Sequence, residues 1–137
     1  MYLLDTVVLS ELRKRQRNAN VVAWIDSVAD ADLYVSAATI VEIEFGIERQ
    51  RKLDTAFAEA LAAWLDTMLR VYGDRVLPIT VQTARRWGRL AAEIGNRDLD
   101  LAIAATALEE GLTVITRNVS HFARTGVATL NPFDTQE

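Results

Sequence analysis

Short apolar runs alternate with amphipathic stretches along this chain. "YLLD" (2–5), "LYVS" (33–36), "VLPI" (76–79) and "TVIT" (113–116) are brief and apolar, as buried strands are, and "VATL" (127–130) is a candidate fifth. Between them lie helical patterns. "SELRKRQR" (10–17) predicts a short helix, and "NANVVAWIDSVAD" (18–30) a second, capped by Asn18 or Asn20. A helix is expected from about Ala38 to Arg51. A longer one covers 54–72, with Phe57, Leu61, Trp64, Leu65, Met68, Leu69 and Tyr72 at helical spacing. Thr80 or Thr83 opens a helix carrying Trp87, Leu90 and Ile94 and ended by Gly95. "DLDLAIAATALEEG" predicts another, capped by Asp98 and closed by Gly111. This order predicts an α/β sandwich with a mainly parallel sheet, whose functional crevice lies at the carboxyl ends of the strands. No repeat or linker interrupts it, so residues 1–137 are expected to form one domain.

Carboxylates stand where a core-building pattern would place apolar residues. Asp5 ends the first strand, where capping the next helix is the simplest use. Glu42 shares a helix face with Ala38, Thr39, Phe45, Gly46 and Arg49, among small residues that let another element approach. Glu44 and Glu48 read instead as solvated, Glu48 pairing with Lys52 four residues on. Asp98 fits a helix cap, whereas Asp100 shares its face with Ile103, Ala104 and Ala107 and points inward. Several carboxylates share a pocket only by binding metal or taking up protons. Oxygen donors without cysteine suit Mg²⁺ or Mn²⁺, and such ions are well matched to phosphodiester hydrolysis.

Composition narrows the class. The 137 residues contain no cysteine, which removes disulfides and thiolate metal sites. No apolar run approaches membrane-spanning length and no leader pattern is present, so a soluble cytoplasmic protein is expected, with no membrane partner. The net charge of −4 argues against simple coating of nucleic acid. Basic residues are nonetheless clustered at 13–17, 49–52 and 85–89, and all but Lys14 and Lys52 are arginine, the side chain suited to bidentate phosphate contacts.

With these residues in view the chain resembles the PIN-domain ribonucleases, most closely the VapC-type toxins of bacterial toxin–antitoxin pairs. "LLDTVVLSEL", "SAATIVEIEFGI", "DLAIAATALEEGLTVITRN" and "GVATLNPF" carry the resemblance, in order and over nearly the whole chain. It implies a three-layer α/β/α sandwich, Mg²⁺- or Mn²⁺-dependent RNA hydrolysis, and Asp5, Glu42 and Asp100 as acidic metal ligands. It also implies a homodimer silenced by a cognate antitoxin, whose C-terminal segment lies across the active-site groove. Trp64, Met68 and Tyr72 could serve such contacts, or simply the core.

Two departures stand out. Val7 replaces the polar residue often found two positions after the first acid, and His121, the only histidine, occupies the place of a fourth acid in "TRNVSHF". A neutral imidazole would weaken a second Mg²⁺ more than a second Mn²⁺, and could serve as an acid or base. His121 is therefore a candidate catalytic residue. Thr116, Arg117 and Asn118 are candidate substrate-binding residues, with Arg117 meeting a phosphate. A haloacid-dehalogenase-type phosphatase would need an Asp at position 7, and a receiver domain a lysine after a late strand; neither is present. The alternatives left open are a catalytically impaired PIN-like domain acting by binding, and a PIN nuclease of RNA maturation without an antitoxin.

Overall fold

The computed structural model describes residues 1–135; the last two positions of the expected 1–137 domain, Gln136 and Glu137, lie outside the described residues. Five strands, β1 (Tyr2–Leu4), β2 (Leu33–Ser36), β3 (Val76–Leu77), β4 (Thr113–Ile115) and β5 (Thr129–Leu130), form one sheet in the order β3-β2-β1-β4-β5. All four pairings are parallel.

Strand alternation divides the interior into two cores. Register places Leu3 beside Tyr34 and Val114, and Leu4 beside Val35 and Ile115. The Leu4 side packs against α1 (Thr6–Arg13), α2 (Ala19–Asp26), α3 (Ala37–Arg51) and α4 (Thr55–Tyr72), through Val8, Leu9, Val21, Trp24, Ile43, Ile47 and Leu65. The Leu3 side packs against α5 (Val81–Ile94), α6 (Leu99–Glu110) and α7 (Val119–Phe122), through Leu90, Ile103, Phe122 and the alanines of α6. The result is the expected three-layer α/β/α sandwich. Helix α6 is buried from Leu101 through Ala107, and its small side chains let it lie close to the sheet. In α4, Leu65 and Tyr72 are buried and Trp64 and Met68 pack beside them, so most of that stripe is core.

Several boundaries differ from expectation. Helix α1 starts at Thr6 rather than Ser10, because Asp5 caps it: Asp5 Oδ1 accepts from the Thr6 N–H at 2.8 Å, and its carbonyl accepts from Val8 and Leu9. The chain turns extended at Lys14, so 14–17 is not helical. Asn18 is the cap of α2 and Thr80 that of α5. Strand β3 stops before Pro78, which has no N–H to give a ladder. Asp98 holds the N-cap position of α6 but makes no side-chain capping bond. Glu48 pairs with Arg51 at 2.7 Å rather than with Lys52, which is the C-cap of α3.

Candidate active site

The strand order reverses at β1. The chain steps outward from β1 through β2 to β3, then returns to add β4 and β5 on the other side. In open α/β sheets the crevice above such a switch point is where ligands bind. Asp5 follows β1 and Thr116 follows β4, side by side at this point. The Asp5 backbone N–H donates to the Ile115 carbonyl at 2.9 Å, and Thr116 Oγ1 donates to Asp5 Oδ2 at 2.8 Å. Both Asp5 oxygens are thus held, and only 3 % of the residue is exposed.

Helix α3, capped by Ser36 at the end of β2, brings in the second acid. Glu42 is half-buried and its Oε1 accepts from Thr6 Oγ1 at 2.7 Å, with the Thr39 hydroxyl 3.1 Å from that of Thr6. The first turn of α6 supplies Asp100, also half-buried. One carboxylate oxygen from each of Asp5, Glu42 and Asp100 lies within 4.8 Å of the others. The three expected acids therefore converge.

Burial and crowding act together on them. Burial pushes the Asp5 carboxyl above its ordinary range, opposed by the Thr116 hydrogen bond and reinforced by the Asp100 charge. Burial likewise raises Glu42, opposed by the Thr6 hydroxyl and reinforced by Asp5 and Asp100. Asp5 and Glu42 thus resist ionisation, which a bound cation would relieve. The donor set is all oxygen and part solvent-accessible, which fits a hard, partly hydrated divalent ion.

The other expected residues sort into three kinds. His121, on α7, is exposed and stands beside the cluster rather than in it: its Nδ1 lies 3.2 Å from Asp100 Oδ2. With the carboxylate accepting, Nδ1 carries the proton and Nε2 stays uncommitted. Thr116 is a fully buried orienting hydroxyl that also accepts from the Asn118 N–H at 2.9 Å. Arg117 is exposed, with its guanidinium 4.2 Å from the centre of the Phe133 ring, a cation–π contact. Sequence reasoning missed Thr6 and Thr39. Thr6 supplies, one position before Val7, a hydroxyl anchored on the acid cluster, while Val7 is partly exposed.

A model of the PIN domain matches residues 2–128. The chain belongs to the PIN domain family. Two curated relatives match it almost from end to end. It is 36% identical to the VapC ribonuclease Y4jK of Sinorhizobium fredii, over 98% of this chain and 99% of the relative. It is 34% identical to the toxin FitB of Neisseria gonorrhoeae, over 97% and 99%. These similarities mark the chain as a VapC-type PIN domain. Among solved structures, a chain in the crystal structure of FitAcB from Neisseria gonorrhoeae superposes with a TM-score of 0.83 at 35% identity, covering 97% of this PIN domain and 99% of that chain.

Proposed function

We propose that this PIN domain is a divalent-metal-dependent endoribonuclease, the toxin component of a toxin–antitoxin pair, acting as one domain over residues 1–137. The convergence of Asp5, Glu42 and Asp100 above the sheet's switch point carries the proposal. Full-length similarity to a VapC ribonuclease and to the FitB toxin supports the substrate class. The solved structure of FitAB bound to a DNA fragment, whose matching chain is 32% identical to this one, supports a cognate antitoxin as partner. We further propose a homodimer working in the cytoplasm. No helix among the described residues is long and apolar enough to cross a membrane.

The geometry supports a division of labour. Asp5, Glu42 and Asp100 would hold Mg²⁺ or Mn²⁺, which when bound activates water and stabilises the departing 3′ oxygen. Thr116 and the Thr6 N–H lock the Asp5 carboxylate in one orientation, so little reorganisation accompanies binding. Thr6 does the same for Glu42. His121 orients Asp100 and offers Nε2 to the water or phosphate beside it. Arg117, held on Phe133, neutralises backbone charge at the crevice edge, and Asn118 lines the same turn.

Cleavage of total RNA by the purified, antitoxin-free chain tests the proposal, with Mg²⁺, Mn²⁺ or EDTA and an Asp5→Asn control. Metal-dependent cutting that disappears in the control is the expected result. A folded, metal-replete sample that cuts nothing would turn the reading toward a domain that only binds its partners.

A further inference from the structure

Beside Asp100, the end of α5, the start of α6 and α7 border an open depression of about 280 Å³. Half-buried Ile94 gives it an apolar patch beside buried Leu101, and exposed Asn96, Asp98, Ser120, His121 and Arg124, with half-buried Asp100, make its polar lining. We propose that this depression is a nucleotide subsite, taking the base and one phosphate of the RNA residue next to the scissile bond. The proposal rests on the nuclease reading above and adds to it where a neighbouring nucleotide is held.

Three observations carry it. The first is location: Asp100 belongs both to the acid cluster and to the lining of the depression, so its occupant sits one side chain from the reacting centre. The second is chemistry. Single-stranded RNA is read by stacking bases on aromatic rings or guanidinium planes and bonding their edges, while arginine takes the phosphate. The His121 ring, the Asn96 amide, the Ser120 hydroxyl and the Arg124 guanidinium offer these parts, beside the carboxylates of Asp98 and Asp100. The third is availability. Asn96 Oδ1 is spent on the Asp98 N–H at 3.0 Å, leaving its NH₂ to donate. Nδ1 of His121 is spent on Asp100, leaving Nε2. Ser120 and Arg124 have no side-chain hydrogen bond or ion pair among the described residues, whereas Arg51 and Arg86 are both tied to glutamates.

A depression of this size lies near the lower limit of the ~300–1,000 Å³ typical of small-ligand sites, which suits one nucleotide. The cation matters most for selectivity of place. Metal-free, the acid cluster repels phosphate, and Arg124 adds a positive charge on this flank, opposite in sign to Asp98 and Asp100.

The test compares Arg124→Ala, Asn96→Ala and Ser120→Ala with the parent, using a labelled single-stranded RNA oligonucleotide, with Arg85→Ala as a surface-charge control. For Arg124→Ala we expect KM to rise about 5- to 10-fold, and the log–log salt dependence of binding to flatten by roughly 0.7, the loss of one single-strand phosphate contact. Asn96→Ala and Ser120→Ala should leave that slope alone and broaden the base preference at a single position beside the cleavage point, read by sequencing the product ends. Mn²⁺ affinity should match the parent in all three, which separates the subsite from damage to Asp100. Unchanged KM, salt slope and base preference in a parent that cuts RNA would overturn the subsite and leave the nuclease reading standing. A parent that cuts nothing would overturn the nuclease reading. Fluorescence anisotropy of the same oligonucleotide then decides the subsite: weaker binding by Arg124→Ala upholds it, and equal binding overturns it.

Discussion

Thr116 Oγ1 donates to Asp5 Oδ2 at 2.8 Å, joining residues that stand 111 positions apart in the chain. The same hydroxyl accepts from the Asn118 N–H, so one side chain fixes both the first acid and the turn that follows β4. Thr116→Val keeps the shape and removes both bonds. It should lower stability by about 1–3 kcal/mol, the cost of orphaning buried polar groups, and weaken Mn²⁺ binding about 10-fold, as loss of an orienting partner does. Thr116→Ser should restore most of both. Denaturant melts and metal titrations of the two variants check this, and a valine variant with parental metal affinity would remove Thr116 from the site.

The acid cluster gives metal-free protein an unusual dependence on pH. Asp5 and Glu42 have folded-state values raised above their unfolded ones, chiefly by burial. Between the two values the folded state binds more protons, so stability falls as pH rises through that window, which begins near the ordinary carboxylate value of about 4. Above it the full penalty is present. In EDTA, Asp5→Asn should therefore melt at a higher temperature than the parent at pH 7, with the difference shrinking toward pH 4. Mg²⁺ or Mn²⁺ should raise the melting temperature of the parent and much less that of the variant. Equal melting curves with and without metal would count against a cation site here.

What the sequence disclosed depended on distance along the chain. Asp5, Glu42 and Asp100 were legible because a carboxylate among apolar or small neighbours is a local anomaly. Thr6 and Thr39 were not, because a threonine in a helix's first turns is ordinary until a partner 33 to 36 residues away makes it otherwise. The start of α1 was hidden by "TVVL", whose β-branched residues continue the strand pattern past Asp5. Helix α7 spans four residues, barely one turn, too few for helical periodicity to show around His121. The resemblance sets it in a fourth acid's place, but its exposure and its tie to Asp100 are properties of the packed chain.

Glu11 is the buried acid with a structural rather than catalytic setting. Its Oε2 accepts from the Asn18 N–H at 2.9 Å and its Oε1 from Lys14 Nζ at 3.0 Å, which fastens the extended link between α1 and α2. The Asn18 N–H, followed by Lys14, holds its carboxyl below the ordinary range. A depressed folded value contributes stability above the unfolded one and loses it as pH falls through the folded value, the opposite sign to Asp5. Glu11→Ala leaves the Asn18 N–H without its partner and should cost about 1–3 kcal/mol. Metal affinity should stay parental. Urea unfolding with an unchanged slope and a lower midpoint is the expected record.

His121 meets Asp100 through Nδ1 and keeps Nε2 free, at a position where the resemblance implies a fourth acid. An imidazole nitrogen is a softer donor than a carboxylate and brings no negative charge. Its presence should favour Mn²⁺ over Mg²⁺ in any ion held on the Asp100 side of the cluster. His121→Asp restores the charge and the hard oxygen, at the cost of a second acid next to Asp100. Mg²⁺ should then support cleavage better relative to Mn²⁺, whereas His121→Ala should lose about 10-fold in Mn²⁺ affinity and less in Mg²⁺. Rates and metal titrations measured side by side for the three proteins resolve the point. If the ratio of Mn²⁺ to Mg²⁺ activity is the same in all of them, His121 acts on neither the metal nor Asp100, and its proximity is a matter of packing alone.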